Sequence, residues 1–237
     1  MMNILVIVAH PDDEVLGMGG TIAKHVDKGD KVRIVYLTTG ITSRRNSGYK
    51  SSSVYQVDKK NSALMDKEIQ KLKNNALKSC KTLGVKSSNF YDFPDNELDT
   101  ISRLQIIKTI ENEIEKFKPD QIFTNHYGDL NIDHRIIFES CLTACRPIAK
   151  QSPQLFAFGV ISSMEWNFPS SFNPNYFVNI SKYIKTKLRA MKSYENELRK
   201  SPHPRTLDGI TITAQKWGIT CGHNYAEAFE IIRIVDE

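Results

Sequence analysis

The sequence predicts an α/β fold: a Rossmann-like, mainly parallel sheet with helices on both of its faces. Residues 4–8 form a short apolar run rich in β-branched side chains, which is typical of a buried strand in a parallel sheet. A helical segment over residues 14–28 and a strand-like run over residues 31–38 follow it. This spacing indicates a βαβ unit with a right-handed crossover. Further along the chain, strand-like runs keep alternating with segments of helical periodicity.

The remaining elements continue this alternation. Apolar residues at helical spacing predict helices over residues 58–83, 100–118, 135–149 and 181–200, and a further helix that ends near residue 216. Short apolar runs predict strands over residues 3–9, 89–93, 121–124, 154–160 and 176–180. The stretch over residues 166–175 contains two prolines and is expected to be irregular. We expect an edge strand within residues 222–235.

Length and composition indicate an ordinary globular protein. The chain has 237 residues, of which 40% are hydrophobic and 25% charged, enough for a sizeable core. No internal repeat or low-complexity tract divides it, so we expect one domain over residues 1–237. The net charge of +5 permits an anionic substrate. Because the chain has no stripe of alternating aromatic and basic residues, we expect no nucleic-acid partner.

Cysteine usage and hydropathy predict a cytoplasmic location. None of the four cysteines forms a C-x-x-C pair, and a disulfide framework is not expected. The N-terminal apolar run is too short for a signal peptide and meets acidic residues at once. No run approaches the roughly 18 apolar residues of a membrane span, so we expect no membrane insertion.

The turn after the first strand carries the first candidate site, in the sequence Ala-His-Pro-Asp-Asp-Glu over residues 9–14. Pro11 cannot continue the strand, so the chain turns there. His10, Asp12 and Asp13 therefore lie at the carboxyl end of a strand, where open α/β sheets place their ligand crevices. One imidazole and one carboxylate suit a divalent metal, and the second carboxylate could remain free as a base. The alternative is that the two aspartates only cap the helix.

A second cluster of His and Asp residues follows another strand-like run. Residues 126–134 contain His126, Asp129, Asp133 and His134, directly after the strand predicted over residues 121–124. Two strand ends of one parallel sheet that both carry His and Asp favour a shared metal site.

Three glycines raise the alternative of a dinucleotide-binding loop. Gly17, Gly19 and Gly20 fall inside the first helix, however, and the position of a third motif glycine is Ile22. The second strand also ends without an acidic residue for a ribose hydroxyl. We therefore reject this alternative and interpret the glycines as sites of close helix–sheet packing.

These motifs resemble the LmbE/PIG-L-like family of zinc-dependent N-deacetylases. The family's A-H-P-D-D-E motif matches residues 9–14 without a gap, and the resemblance extends over nearly the whole chain, to residues 225–229. It implies a hydrolase of linear amide C–N bonds that removes an N-acetyl group from an amino sugar or sugar conjugate.

The resemblance also implies the roles of individual residues. His10, Asp13 and His134 would bind Zn²⁺, and Asp12 would be the general base. The expected substrate is a small N-acetylated sugar, with a nucleotide sugar of surface polysaccharide biosynthesis as one candidate. Relatives in the family are often homo-oligomers, which makes a homo-oligomer a candidate assembly.

One position departs from the family pattern. Many members carry a second His three residues before the last metal ligand, and here that position is Asn131. An amide can donate a hydrogen bond to an oxyanion, but it cannot act as an acid or a cation. His203 is the favoured replacement because two prolines flank it, with His126 or a dual role of Asp12 as alternatives. The catalytic candidates are therefore Asp12, Asn131 and His203.

Four residues are candidates for substrate binding. Arg44 and Arg45 lie in a polar stretch that follows the second strand, either a loop that closes over an anionic group or a solvated surface loop. Asp129 is a third candidate, and it could instead orient a neighbouring side chain or hold its loop. Arg205 belongs to the part of the chain after about residue 150, which by resemblance walls the substrate cleft.

Two other functions remain open from the sequence. The replacement of the usual His by Asn131 leaves room for a metal- or carbohydrate-binding protein without catalysis. Another amidase would share the metal mechanism and differ only in its pocket.

Overall fold

The computed structural model describes residues 1–41, 59–148 and 152–235. These residues form a sheet whose strands are β1 (Asn3–Val8), β2 (Lys31–Thr38), β3 (Ser87–Phe93), β4 (Gln121–Asn125), β5 (Gln154–Phe158), β6 (Tyr176–Asn179) and β7 (Ala226–Arg233). The order across the sheet is β3-β2-β1-β4-β5-β7-β6. The first five strands pair in parallel, whereas β7 is antiparallel to both β5 and β6.

The helices of the described ranges cover both faces of the sheet. They are α1 (Asp13–Asp27), α2 (Lys59–Leu83), α3 (Arg103–Phe117), α4 (Ile132–Ala144), α5 (Ile184–Met191) and α6 (Leu207–Cys221). Side chains of β1 alternate between the two faces: Val6 packs in the core with α1, α2, α5 and α6, and Ile7 packs in the core with α3 and α4. The predicted fold class is therefore confirmed. No helix in the described ranges is long and apolar enough to cross a membrane.

The central position of β1 creates the crevice. β1 lies between β2 and β4, and the turn that follows it is tied to both neighbours. The Ala9 N–H donates to Asn125 Oδ1 at 3.0 Å, and the Thr38 N–H donates to the Ala9 carbonyl at 2.9 Å. The turn after β1 and the loop after β4 therefore meet at the carboxyl edge of the sheet.

Two expectations for the C-terminal part are wrong. The last strand is interior, because β7 pairs with β5 on one side and with β6 on the other. The helix expected over residues 181–200 ends at Met191, and a 3-10 turn follows at Lys192–Tyr194. The reason is a tertiary contact: Tyr194 is fully buried, and its hydroxyl donates to Glu14 Oε1 at 2.7 Å.

The glycines of α1 lie inside the helix, where they permit close packing. A Cβ atom at Gly17 would lie 2.0 Å from the Phe158 ring, and one at Gly20 would lie 2.8 Å from Ile180. Close helix–sheet packing is therefore confirmed for Gly17, whereas Gly20 packs against Ile180 just after β6 and Gly19 lies near Lys187 of α5.

Candidate active site

Three donor atoms converge where the turn after β1 meets the first turn of α4. His10 Nδ1 lies 3.2 Å from His134 Nε2 and 3.5 Å from Asp13 Oδ2. His134 Nε2 and Asp13 Oδ2 lie 3.2 Å apart. A tetrahedral zinc with bonds of about 2.0–2.1 Å holds neighbouring ligand atoms roughly 3.3–3.4 Å apart. Two imidazoles and one carboxylate are also ligand types that zinc accepts. The residues therefore fit a metal ion with three protein ligands.

The far nitrogen of each imidazole faces carboxylates. His10 Nε2 lies 2.9 Å from Asp95 Oδ1 and 3.1 Å from Asp133 Oδ2, and His134 Nδ1 lies 3.0 Å from Asp129 Oδ2. Such partners fix the tautomer and orientation of a metal-binding His, so that the near nitrogen presents its lone pair to the metal.

The charge balance of the cluster also favours a cation. Burial lowers the pKa of His134, but the carboxylates of Asp13 and Asp129 outweigh it and raise this pKa to about 9. Burial raises the pKa of Asp13, yet the imidazoles of His134 and His10 hold it well below its usual range. The carboxylates of Asp13 and Asp129 therefore stabilise positive charge between the imidazoles, and a divalent cation would provide that charge.

Asp12 lies beside the cluster and is not one of its three donors. It is buried, and its backbone has a φ of 121°, a strained value for a non-glycine residue. Its N–H donates to Glu14 Oε2 at 3.1 Å, and Glu14 Oε1 in turn accepts from Ser79 and Tyr194. The buried Glu14 network therefore holds the strained turn.

The Asp12 carboxylate is paired with Arg205. Arg205 Nη1 donates to Asp12 Oδ2 at 3.0 Å and lies 3.5 Å from Glu197 Oε2, while its Nε donates to Ser162 Oγ at 2.6 Å. Burial raises the pKa of Asp12 to about 8 although Arg205 opposes the shift. An aspartate in this environment is a candidate for proton transfer near neutral pH.

A cavity of about 250 Å³ opens next to these residues. Two parts of the chain line it. The part before residue 150 contributes His10, Pro11, Asp12, Gly40, Asp95, Asn96 and Asn131, and the part after residue 150 contributes Ser162, Trp166, Glu197, Arg199, His203 and Arg205. Its volume lies just below the roughly 300–1,000 Å³ of drug-sized ligand pockets, so it suits a group of monosaccharide size.

Asn131 and His203 both line this cavity. Asn131 is the N-cap of α4: its Oδ1 accepts from the Asp133 N–H at 2.9 Å, and its Nδ2 donates to Asn96 Oδ1 at 2.9 Å. His203 Nδ1 accepts the N–H of Arg205 at 3.0 Å, which leaves its hydrogen on Nε2. Burial, with Arg205 and Arg199 nearby, lowers the pKa of His203, which favours this neutral form.

The other sequence candidates lie elsewhere. His126 is fully buried, and its Nε2 lies 3.1 Å from Glu230 Oε1, away from the cavity. Asp129 is also buried behind His134 and accepts from Ser163 Oγ at 2.9 Å, which suits the orienting role rather than contact with substrate. Arg44 and Arg45 lie outside the described residues.

Sequence reasoning missed several residues of the site. Asp95 follows the end of β3, so the rule that locates ligands at carboxyl ends of strands could have found it. Tyr194 and Glu197 carry no local signal, because they reach Glu14 and Arg205 only through the tertiary fold. Trp166 lies in the stretch that the sequence described only as irregular.

Comparison with known proteins identifies the family. A family model described as GlcNAc-PI de-N-acetylase (PIG-L) matches residues 5–145, more than half of the chain. The chain belongs to the PIG-L deacetylase family. The resemblance seen in residues 9–14 is thereby confirmed.

Individual relatives cover most of the chain. The diacetylchitobiose deacetylase of Thermococcus kodakarensis is 28% identical over 249 residues, 97% of this chain and 83% of the relative. The solved structure of N,N'-diacetylchitobiose deacetylase from Pyrococcus horikoshii, in complex with an inhibitor, has a TM-score of 0.74 at 22% identity and covers 98% of this chain and 84% of its own.

The same fold also occurs with another activity. The structure of GalB, a 4-carboxy-2-hydroxymuconate hydratase from Pseudomonas putida KT2440, has a TM-score of 0.75 at 18% identity, over 100% of this chain and 99% of its own. These likenesses between structures show the fold, and the activity has to be argued from the site.

Proposed function

We propose that this protein is a zinc-dependent hydrolase that removes the N-acetyl group of an amino sugar or sugar conjugate. The observation that carries the proposal is the arrangement of Asp12. This buried carboxylate is held beside three convergent metal donors, and Asp12 and one of the donors, His10, border the same cavity. A non-catalytic metal-binding protein has no need for such a strained and separately held carboxylate.

His10, Asp13 and His134 would hold the metal in this proposal. A zinc ion held there would supply a water of lowered pKa and would polarise the carbonyl of the scissile amide. Asp12 accepts the proton of the attacking water as general base. It then returns the proton to the amine nitrogen as the C–N bond breaks, so that one amide and one water give one acetate and one amine. Arg205 holds Asp12 Oδ2 throughout and fixes the direction of the carboxylate.

Asn131 and His203 serve as donors rather than as acids. One hydrogen of Asn131 Nδ2 binds Asn96, which leaves the other for the oxyanion that forms from the acetyl carbonyl. His203 presents Nε2–H, which suits a sugar hydroxyl. The acid role that a second His would supply therefore falls to Asp12.

The substrate assignment rests on relatives and on the pocket. The names of the relatives specify diacetylchitobiose and N-acetylglucosaminyl malate, both conjugates of N-acetylated sugars. Arg199 lines the cavity and could receive an anionic group, such as a phosphate of a nucleotide sugar. A single domain over residues 1–237 with a C-terminal cleft wall from about residue 150, a homo-oligomeric assembly and a cytoplasmic location stay predictions.

The proposal is tested by acetate release. Zinc-loaded and chelator-stripped protein is incubated with N-acetylglucosamine, N,N'-diacetylchitobiose and UDP-N-acetylglucosamine, beside linear N-acetyl amines. Zinc-dependent acetate release from the sugars supports the proposal. Release only from linear compounds would indicate another amidase, and no release from zinc-loaded protein would favour a binding function.

A further inference from the structure

Trp166 has an unusual place for a large aromatic residue. It is 52% exposed and lines the cavity, among side chains that are mostly charged or polar. Within the described ranges its ring contacts His203, with centroids 5.3 Å apart and planes at 86°. The other tryptophan, Trp217, packs instead against Phe172 and Phe177. Contacts with other side chains therefore account for the position of Trp217, whereas about half of Trp166 is exposed where it lines the cavity.

The backbone on both sides of Trp166 is fixed. The Met164 N–H donates to the Val160 carbonyl at 3.2 Å, and the Asn167 N–H donates to the Met164 carbonyl at 3.3 Å. The Asn167 side chain also bonds to the carbonyl of Gly128 in the loop before α4. The backbone that carries the indole is thus fixed before a ligand arrives, which reduces the entropy lost on binding.

The polar groups beside Trp166 complete a recognisable surface. His203 offers Nε2–H, and Ser162 and Arg199 line the same cavity. An aromatic face beside convergent polar donors matches a pyranose ring, which has an apolar C–H face and a rim of hydroxyl groups. A linear N-acetyl compound has no ring face to place on the indole.

We propose that Trp166 is a specificity-determining residue that stacks on the pyranose ring of the substrate at the cavity mouth and thereby selects cyclic amino sugars over linear N-acetyl compounds. The inference rests on the proposed deacetylase function and adds the residue that contacts the sugar ring. Trp166 acts in binding, so its loss changes KM more than kcat.

Kinetics of matched variants provide the first test. Replacement by leucine should raise KM for N,N'-diacetylchitobiose roughly five- to tenfold, as expected for a lost aromatic contact, with kcat changed less than twofold. Trp166→Phe should restore most of the affinity. The control is Phe168→Leu, because Phe168 is a nearby aromatic residue that is 83% exposed and does not line this cavity. Equal KM values for Trp166→Leu and Phe168→Leu would overturn the proposal.

Fluorescence provides a readout that is independent of turnover. The chain has two tryptophans, so Trp217→Phe leaves Trp166 as the sole reporter. In zinc-loaded Asp12→Asn/Trp217→Phe protein, N-acetylglucosamine should change the emission in a saturable way, and N-acetylethanolamine should not. Equal changes with both compounds, or none with the sugar, would contradict the stacking role.

The two proposals fail in different ways. Acetate release from sugars that is as efficient in Trp166→Leu as in the parent protein would reject the stacking role and keep the deacetylase. A saturable change in Trp166 emission on addition of sugars, without acetate release by the parent protein, would support the stacking role and reject the deacetylase function.

Discussion

The buried ion pair of Lys187 and Glu227 is expected to be a main support of helix α1, which carries Asp13. Lys187 Nζ lies 2.6 Å from Glu227 Oε1, and the two side chains are only 4% and 3% exposed. Helix α1 is interrupted at Met18, whose φ is −145°, and the pair bridges this interruption. Glu227 accepts from the N–H groups that begin the second helical segment, and Lys187 Nζ donates to the Leu16 carbonyl that ends the first.

Removing one member of this pair leaves a buried charge without its partner. Such a change costs about 3–5 kcal/mol of unfolding free energy. At roughly 2–4 °C per kcal/mol for a chain of this size, Lys187→Met should lower the melting temperature by about 6–20 °C. The double variant Lys187→Met/Glu227→Gln should be more stable than Lys187→Met alone, because glutamine leaves no unpaired charge and its single amide oxygen still accepts one of the two backbone N–H groups that Glu227 binds.

Urea unfolding followed by circular dichroism measures these differences. The control is Lys73→Met, which breaks a surface pair with Asp92 and should cost at most about 1 kcal/mol. If Lys187→Met were no less stable than Lys73→Met, or if adding Glu227→Gln destabilised it further, the reasoning about the bridged helix would be wrong.

Three further predictions concern the site and its packing. Asp129→Asn should weaken zinc binding by about 10–100-fold, because His134 loses the carboxylate that orients it. The surface control Asp99→Asn should leave zinc binding unchanged, and competition with a chromophoric chelator measures the zinc affinity of both variants. Gly17→Ala should cost about 1–3 kcal/mol or more in urea unfolding, because the added methyl group meets an aromatic ring; wild-type stability would show that the helix can shift. Arg205→Met should lower kcat about 100-fold with the zinc content unchanged, because Asp12 loses its orienting partner; an unaltered kcat, measured by acetate release, would remove Arg205 from the account.

The sequence predicted what depends on local patterns. The apolar run of β1, the turn at Pro11 and the β-α-β spacing together placed His10 and Asp13 at a strand end, where the structure has them. The second cluster of His and Asp was expected near the first because parallel strands share an edge. The structure brings His134 to within 3.2 Å of Asp13 Oδ2.

Long-range contacts explain what the sequence missed. Nothing near Tyr194 indicates that its hydroxyl binds Glu14, 180 residues earlier, and so the end of α5 could not be located from periodicity. The position of β7 between β5 and β6 depends on how the chain returns across the sheet. The amino-acid sequence of β7 alone does not indicate this position. Trp166 looked like part of an irregular stretch because its neighbours at the cavity come from distant segments.

The central claim is that the adjacent residues Asp12 and Asp13 have different tasks, and zinc content measured beside acetate release tests it most directly. We predict that Asp12→Asn binds zinc like the parent protein and releases no acetate from the best sugar substrate. Asp13→Asn should lose both zinc and activity. Loss of zinc in Asp12→Asn, or full activity in that variant, would contradict the account.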